Sequence, residues 1–253
     1  MRHAPQLRGT LRRVGLLAAT ATVALAFVAG VFSFSLTASA GAWCNGPNGG
    51  NGFGTHDWVL NEAQRLAAAR GVHWLRLSVA LPHTDDPDTV FHDYYYHVYD
   101  IWSASHYGNA PRKVGTLFAR AVRQLRDGNA RSASITFGLL AHYYADVCEP
   151  LHTDQCAAEE AIHSSYESQV EWRTDSPGEH RAWVVWDGFG MVRDGAAAAR
   201  SAAAFAHRYY FSLVRQYSAG GYTSAVGAIT RRCLNRAVNG LADLILSAGR
   251  LAR

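Results

Sequence analysis

The chain has 253 residues, with 24 basic and 20 acidic side chains, 12 histidines and four cysteines. Its net charge of +4 comes from four arginines within residues 1–42, which contain no acid, so residues 43–253 carry 20 basic and 20 acidic side chains. This balance argues against a surface built to bind a polyanion such as nucleic acid.

The first 42 residues have the features of a secretory signal peptide. An apolar run from Val14 to Phe34 follows a basic region and precedes small residues at Ala38, Ala40 and Ala42; the basic residues are Arg2, Arg8, Arg12 and Arg13. The run is long enough to span a bilayer, so a retained anchor is the alternative. The small residues favour cleavage, and we expect a secreted protein with no transmembrane segment in residues 43–253.

Removal of 42 of the 253 residues leaves 211, residues 43–253. This length is typical of one domain with its own hydrophobic core. The four cysteines of this exported part predict one or two disulfides, and the sequence does not choose among three pairings. The chain has no C-x-x-C spacing, so a zinc site built from cysteines is not indicated. These cysteines are Cys44, Cys148, Cys156 and Cys233.

Helical periodicity dominates the domain, and no alternating strand pattern occurs. A Gly/Asn-rich loop (45–54) precedes a helix that starts after His56, and Leu81–Asp88, with two prolines and three acids, predicts a loop. The aromatic segment Val90–Trp102 fits either a helix or irregular structure. Further helices are predicted over Arg112–Arg126, Ala130–Val147, Ala157–Trp172, Asp194–Tyr217 and Ser224–Leu251. We therefore predict an all-α, single-domain bundle of about seven helices.

Histidines and carboxylates recur at helical spacing within a short part of the domain. His142 and Asp146 are four residues apart on an otherwise apolar helix face, and His163 and Glu167 repeat this spacing. His152 lies between the pairs, after a proline. Taken alone, each pair is more simply explained as a core histidine or as an exposed ion pair. Two such pairs on apolar helix faces are harder to explain in this way, because buried polar groups need partners. A bound metal would provide a partner for both pairs.

This pattern resembles the bacterial zinc-dependent phospholipase C family, which has His-x-x-x-Asp, a His after a proline, and His-x-x-x-Glu. Members begin with a tryptophan whose α-amine and carbonyl bind zinc, and a histidine follows thirteen residues later; Trp43 and His56 match. A loop aspartate and a later histidine correspond to Asp85 and His97. Asp85 is preferred to its neighbours Asp86 and Asp88 for its twelve-residue distance from His97.

The resemblance implies three zinc ions in a cleft of the bundle and a hydrolase that cleaves a glycerophospholipid to diacylglycerol and a phosphorylated head group. Its implied general base is Asp85, which would activate the attacking water. Asp146 would bridge two ions. The implied ligands are Trp43 and His56 for one ion, Asp85, His97 and His142 for the second, and His152, His163 and Glu167 for the third.

Two other functions remain open. Single-strand-specific zinc nucleases share the Trp start and the paired helix motifs, but residues 153–162 lack the glycines typical of that class. A secreted zinc-binding protein without catalysis is the other alternative. We expect a monomer acting on phospholipid at a membrane or micelle surface, with no nucleic-acid partner. The choline-contacting acid of known members is replaced here by Gly46.

Overall fold

A computed structural model describes residues 52–102 and 106–253 of the chain. Within these ranges the fold is helical, with seven helices of nine or more residues and two of four residues, which confirms the predicted all-α bundle. The helices are α1 (Thr55–Ala68), α2 (Leu77–Ala80), α3 (Ala110–Arg126), α4 (Ala130–Asp146), α5 (Ala157–Glu160), α6 (His163–Glu171), α7 (Gly195–His207), α8 (Tyr210–Gly220) and α9 (Ser224–Leu251). None of the helices described is long and apolar enough to cross a membrane.

Two predicted helices are each divided in the structure. The segment predicted as Ala157–Trp172 forms α5 and α6, and the one predicted as Asp194–Tyr217 forms α7 and α8. At each break a backbone amide donates a hydrogen bond to the carbonyl three residues earlier. The Ile162 amide donates to the Glu159 carbonyl, and the Tyr209 amide donates to the Ala206 carbonyl. This tighter turn redirects the chain without proline or glycine, so local periodicity does not reveal it.

Side-chain caps fix where several helices begin. Asn129 accepts the Ser132 amide at the start of α4, and Thr223 accepts the Val226 amide at the start of α9. Asp194 accepts two amides of α7. Polar side chains at this position satisfy amides that have no intrahelical partner. Short turns complete the connections, and they are Leu81–His83, Pro87–Phe91, Tyr94–Tyr96, Pro150–His152 and Arg181–Trp183.

The long helix α9 packs against α1, α3, α4, α7 and α8, and its inner face is buried along most of its length. Two glycines permit close approaches to α4. A side chain at Gly240 would collide with the Tyr144 hydroxyl, and one at Gly138 would collide with the Ala80 carbonyl. The second contact brings the end of α2, and the loop that follows it, directly over α4.

The cysteine expectation requires correction. Cys148 and Cys233 are buried free thiols and Cys156 is an exposed free thiol. Burial raises the pKa of Cys148 to about 12, and both buried cysteines pack as small apolar side chains in the core. Trp43, Cys44 and the predicted cleavage site lie outside the described residues.

Candidate metal centre

Five side chains from different parts of the fold converge at the end of α4, and we call them the Asp146 group: His56, Asp88, His97, His142 and Asp146. Asp146 Oδ2 lies 3.1 Å from His97 Nδ1 and 3.4 Å from His142 Nε2. Its other oxygen lies 3.6 Å from His56 Nε2. Asp88 Oδ1 lies 3.5 Å from His97 Nδ1 and 3.7 Å from His142 Nε2. One buried carboxylate is thus surrounded by imidazoles, with a second carboxylate facing them.

A second set, the Glu149 group, consists of Glu149, His152, His163 and Glu167, whose ligand atoms all lie within 4.8 Å of one another. Glu167 Oε1 is 2.7 Å from His163 Nε2 and 3.3 Å from His152 Nε2. Glu149 Oε2 lies 3.9 Å from His152 Nε2. His163 Nδ1 hydrogen-bonds the Glu159 carboxylate, which leaves Nε2 to face the group.

The two groups are adjacent through His152. Its Nδ1 lies 3.9 Å from Asp146 Oδ1 and donates a hydrogen bond to the His97 carbonyl at 3.0 Å. Likewise, His142 Nδ1 donates to the Thr84 carbonyl at 2.6 Å. Because a carbonyl only accepts, both rings carry a proton on Nδ1, which makes Nε2 the ring nitrogen that can bind a metal. Such backbone partners orient the histidines of metal sites.

His97 is oriented by a charged pair at its outer edge. Its Nε2 lies 3.5 Å from Asp93 Oδ1, and Asp93 also accepts hydrogen bonds from Lys113 Nζ at 2.6 Å and the Tyr143 hydroxyl at 2.8 Å. Burial alone would raise the pKa of Asp93, but the hydrogen bonds from His97, Lys113 and Tyr143 lower it to about 2. Asp93 is therefore a fixed negative charge that holds the ring with Nδ1 toward Asp146.

The carboxylates of the centre differ in their electrostatic surroundings. Burial would raise the pKa of Asp146, but the histidines around it, His142 and His152 foremost, hold it below its usual range. For Asp88, burial dominates and raises the pKa to about 7. The Asp88 side chain is 18% exposed, whereas those of Asp146 and His142 are fully buried. Solvent thus reaches the Asp146 group at Asp88.

The residues present fit a zinc site. Within the two groups, five buried carboxylate oxygens have no hydrogen-bond partner among the described residues, namely both of Asp146, both of Glu149 and Oε2 of Glu167. Buried carboxylates without partners are costly, and a dication would satisfy them. Imidazole nitrogens and carboxylate oxygens are ligands that zinc accepts. No cysteine belongs to either group.

Seven of the nine ligand positions expected from the sequence lie in these two groups, and they are His56, His97, His142, Asp146, His152, His163 and Glu167. Trp43 lies outside the described residues. The acidic loop brings Asp88 to His97, and the ligand role expected of Asp85 stays a prediction. The chain forms a turn over Pro87–Phe91 in which the Asp85 carbonyl accepts the Asp88 amide. This turn directs Asp88 toward the histidines.

Asp88 and Glu149 were not among the expected ligands. Asp88 lies in the acidic loop, but the spacing of residues in the sequence does not reveal the turn that orients its side chain toward His97. Glu149 carries a usable signal, because it stands three residues before His152 and directly before a proline. In the short helical turn Pro150–His152, that separation brings the two side chains toward one another.

A family profile described as zinc-dependent phospholipase C matches residues 59–220, more than half of the chain. The chain belongs to this family. The match includes every described member of the two groups except His56, so the metal centre lies where the zinc-dependent phospholipase C profile and the helical fold coincide.

Two solved structures resemble the chain. Alpha toxin from Clostridium absonum aligns with a TM-score of 0.56 and 17% identity, over 79% of this chain and 65% of the toxin. Alpha-toxin from an avian strain of Clostridium perfringens aligns with a TM-score of 0.49 and 16% identity, over 77% of this chain and 62% of the toxin. This chain thus spans less than two thirds of either toxin, and the first likeness supports the shared helical fold. No curated protein matches the chain significantly.

Proposed function

We propose that the chain is a secreted, zinc-dependent phospholipase C that hydrolyses a glycerophospholipid to diacylglycerol and a phosphorylated head group. The observation that carries this proposal is the position of Asp146, a fully buried carboxylate with His56, His97 and His142 within 3.6 Å, in a chain of the zinc-dependent phospholipase C family.

We assign the side chains as follows. Asp146 would be shared by two ions, one held also by His56 and the other by His97, His142 and Asp88, and His152, His163 and Glu167 would hold a third. Trp43, by its family position, completes the ligands of the ion at His56. Zinc held in this way supplies Lewis acidity, lowers the pKa of water and neutralises charge on phosphate oxygens.

The protein itself orients the reaction. Asp93 and the Thr84 carbonyl fix the rings of His97 and His142, so a phosphate group meets a preorganised set of ligands. Asp88 is partly exposed, faces His97 and His142, and lies in the loop where the family resemblance places Asp85. Its carboxylate is therefore our candidate to accept the proton of the water that attacks phosphorus; the phosphorus–oxygen bond to diacylglycerol breaks, and the departing oxygen takes up a proton to leave as the alcohol.

The surface beside Asp88 suits a lipid aggregate. Apolar and aromatic side chains follow it directly in the sequence and are strongly exposed: Val90 (62%), Phe91 (45%), Tyr94 (38%) and Tyr95 (43%). Exposed apolar patches commonly mark membrane or ligand contacts. The Tyr94 ring lies 5.8 Å from that of His97, so this rim reaches the metal centre. Aromatic rings at this distance could also contact a quaternary ammonium head group.

The test is direct competition between substrates. Protein that begins at Trp43 should release diacylglycerol from phosphatidylcholine or phosphatidylethanolamine micelles, lose this activity in EDTA and regain it with zinc. Degradation of single-stranded DNA without lipid hydrolysis would instead assign the chain to the nuclease alternative. Zinc binding with turnover of neither substrate would reduce it to a zinc-binding protein.

A further inference from the structure

Glu149 is the buried carboxylate that the assignments above least explain. It lies between the end of α4 and the turn Pro150–His152, and its side chain is fully buried. Neither of its oxygens has a hydrogen-bond partner in the described part of the chain. Nevertheless it faces the ligand atoms of His152, His163 and Glu167.

A buried, unpaired carboxylate destabilises a fold unless something compensates its charge. The core around Glu149 contains apolar neighbours such as Val147 and Leu151, which cannot do so. The imidazoles of His152 and His163 are committed through Nδ1 to the His97 carbonyl and to the Glu159 carboxylate. Their Nε2 atoms, 3.1 Å apart, are thus the lone pairs that Glu149 faces.

We propose that Glu149 is a fourth protein ligand of the third zinc ion, so that two imidazoles and two carboxylates enclose it. This inference rests on the zinc binding proposed above. Two carboxylates balance the charge of one dication, and four protein ligands are the usual complement of a structural zinc, whereas catalytic zinc keeps an open position. The third ion would then tie α6 to the end of α4.

The two groups would consequently have different roles, one in binding substrate and the other in stabilising the fold. The Asp146 group retains a partly exposed carboxylate at Asp88 and receives substrate. In the Glu149 group only His163 is noticeably exposed, at 18% of its side chain, while Glu149 and Glu167 are at 0% and 1%. The third ion is accordingly a stabilising ion, and its removal should loosen α6 from α4.

The experiment compares zinc retention in Glu149→Gln with the wild-type chain. Each protein is equilibrated with zinc and titrated with a chelator, and bound zinc is counted by elemental analysis. Glu167→Gln is the positive control. Glu171→Gln is the matched control, because Glu171 is a buried carboxylate on the same helix as Glu167 but lies outside the group.

We expect Glu149→Gln and Glu167→Gln to release one ion at chelator concentrations that leave the wild type and Glu171→Gln loaded. The affinity should fall by at least the roughly 10- to 100-fold typical of losing an outer-shell partner. The rise in unfolding temperature on zinc addition should shrink in the same two variants. Wild-type retention and an unchanged rise in Glu149→Gln would overturn the proposal.

A second measurement covers the case in which Glu149→Gln does not fold. In crystals of the zinc-loaded wild type, a Glu149 oxygen should lie about 2.0–2.2 Å from the ion held by His152 and His163. A separation above about 3 Å would refute direct ligation and leave the other zinc assignments intact. If the wild type binds no zinc at all, the proposed function fails instead, so the two failures are distinguishable.

Discussion

The Nε2 atoms of His152 and His163 lie 3.1 Å apart, although each ring already uses Nδ1 for another partner. Two neutral imidazoles in this arrangement place lone pair against lone pair, which is unfavourable unless a cation or proton lies between them. Glu167 Oε1 lies 3.3 Å from His152 Nε2 and 2.7 Å from His163 Nε2, so a carboxylate, too, faces these lone pairs. The arrangement repeats at Asp146, and both places are consistent with ligands gathered around positive charge.

Asp146→Asn should abolish lipid hydrolysis and lower zinc content together. An amide offers one oxygen and no charge, so a bridging position loses a ligand and leaves two cations poorly neutralised. We expect about one to two fewer ions per chain by elemental analysis. Asp154→Asn, a change at a buried carboxylate outside both groups, serves as the control. Full zinc content in Asp146→Asn would contradict bridging.

Asp88→Asn and Asp85→Asn separate the two candidates in the acidic loop. The contacts of Asp88 with His97 and His142 predict that Asp88→Asn lowers kcat by about a hundredfold or more, in the range for general acid–base groups. Asp85→Asn should have a much smaller effect. Turnover of both variants on phospholipid micelles at saturating zinc decides the matter. The opposite ranking would restore Asp85 as the ligand and base.

Asp93 predicts a specific dependence of stability on pH in zinc-depleted protein. Its pKa of about 2 in the folded chain lies below the ordinary value of 3.8. Its contribution is therefore present above about pH 4 and is lost as the pH falls toward 2; solvent screening limits it to on the order of 1 kcal/mol. Urea unfolding of Asp93→Asn should lack this loss. Asp127→Asn, at an exposed position after α3, should retain the loss. If the free energy of unfolding depends on pH equally in the wild type and both variants, Asp93 does not stabilise the fold in this way.

The amino terminus offers a test that links export to catalysis. If Trp43 binds zinc through its α-amine, the ligand exists only after cleavage at Ala42, because an amide nitrogen has a delocalised lone pair. Protein starting at Trp43 should bind about one more zinc per chain than protein starting at Gly41, with equal helicity by circular dichroism. Equal zinc content and equal turnover for the two would remove Trp43 from the ligands.

Much of the fold follows from periodicity alone. The long amphipathic helix predicted over Ser224–Leu251 is α9, residue for residue, and Ala130–Val147 differs from α4 by one residue. The breaks within Ala157–Trp172 and Asp194–Tyr217 could not be predicted from local sequence, because α7 and α8 pack against the Pro150–His152 segment and α9, and α5 packs against α8.

The site was predictable where ligands share a helix. His142 with Asp146, and His163 with Glu167, are four residues apart, and helical geometry places each pair on one face. Asp88 was not predictable, since its approach to His97 depends on the turn at Pro87–Phe91 and on the close contact of Ala80 with Gly138.

The central claim is that this cleft holds zinc for phosphoester hydrolysis, and anomalous diffraction at the zinc edge tests it most directly. Crystals of the Trp43-start protein, grown with zinc, should show peaks on both sides of Asp146 and a third peak among His152, His163 and Glu167. An empty Asp146 group, with His56, His97 and His142 retaining their direct contacts to the carboxylate in the presence of zinc, would contradict the account.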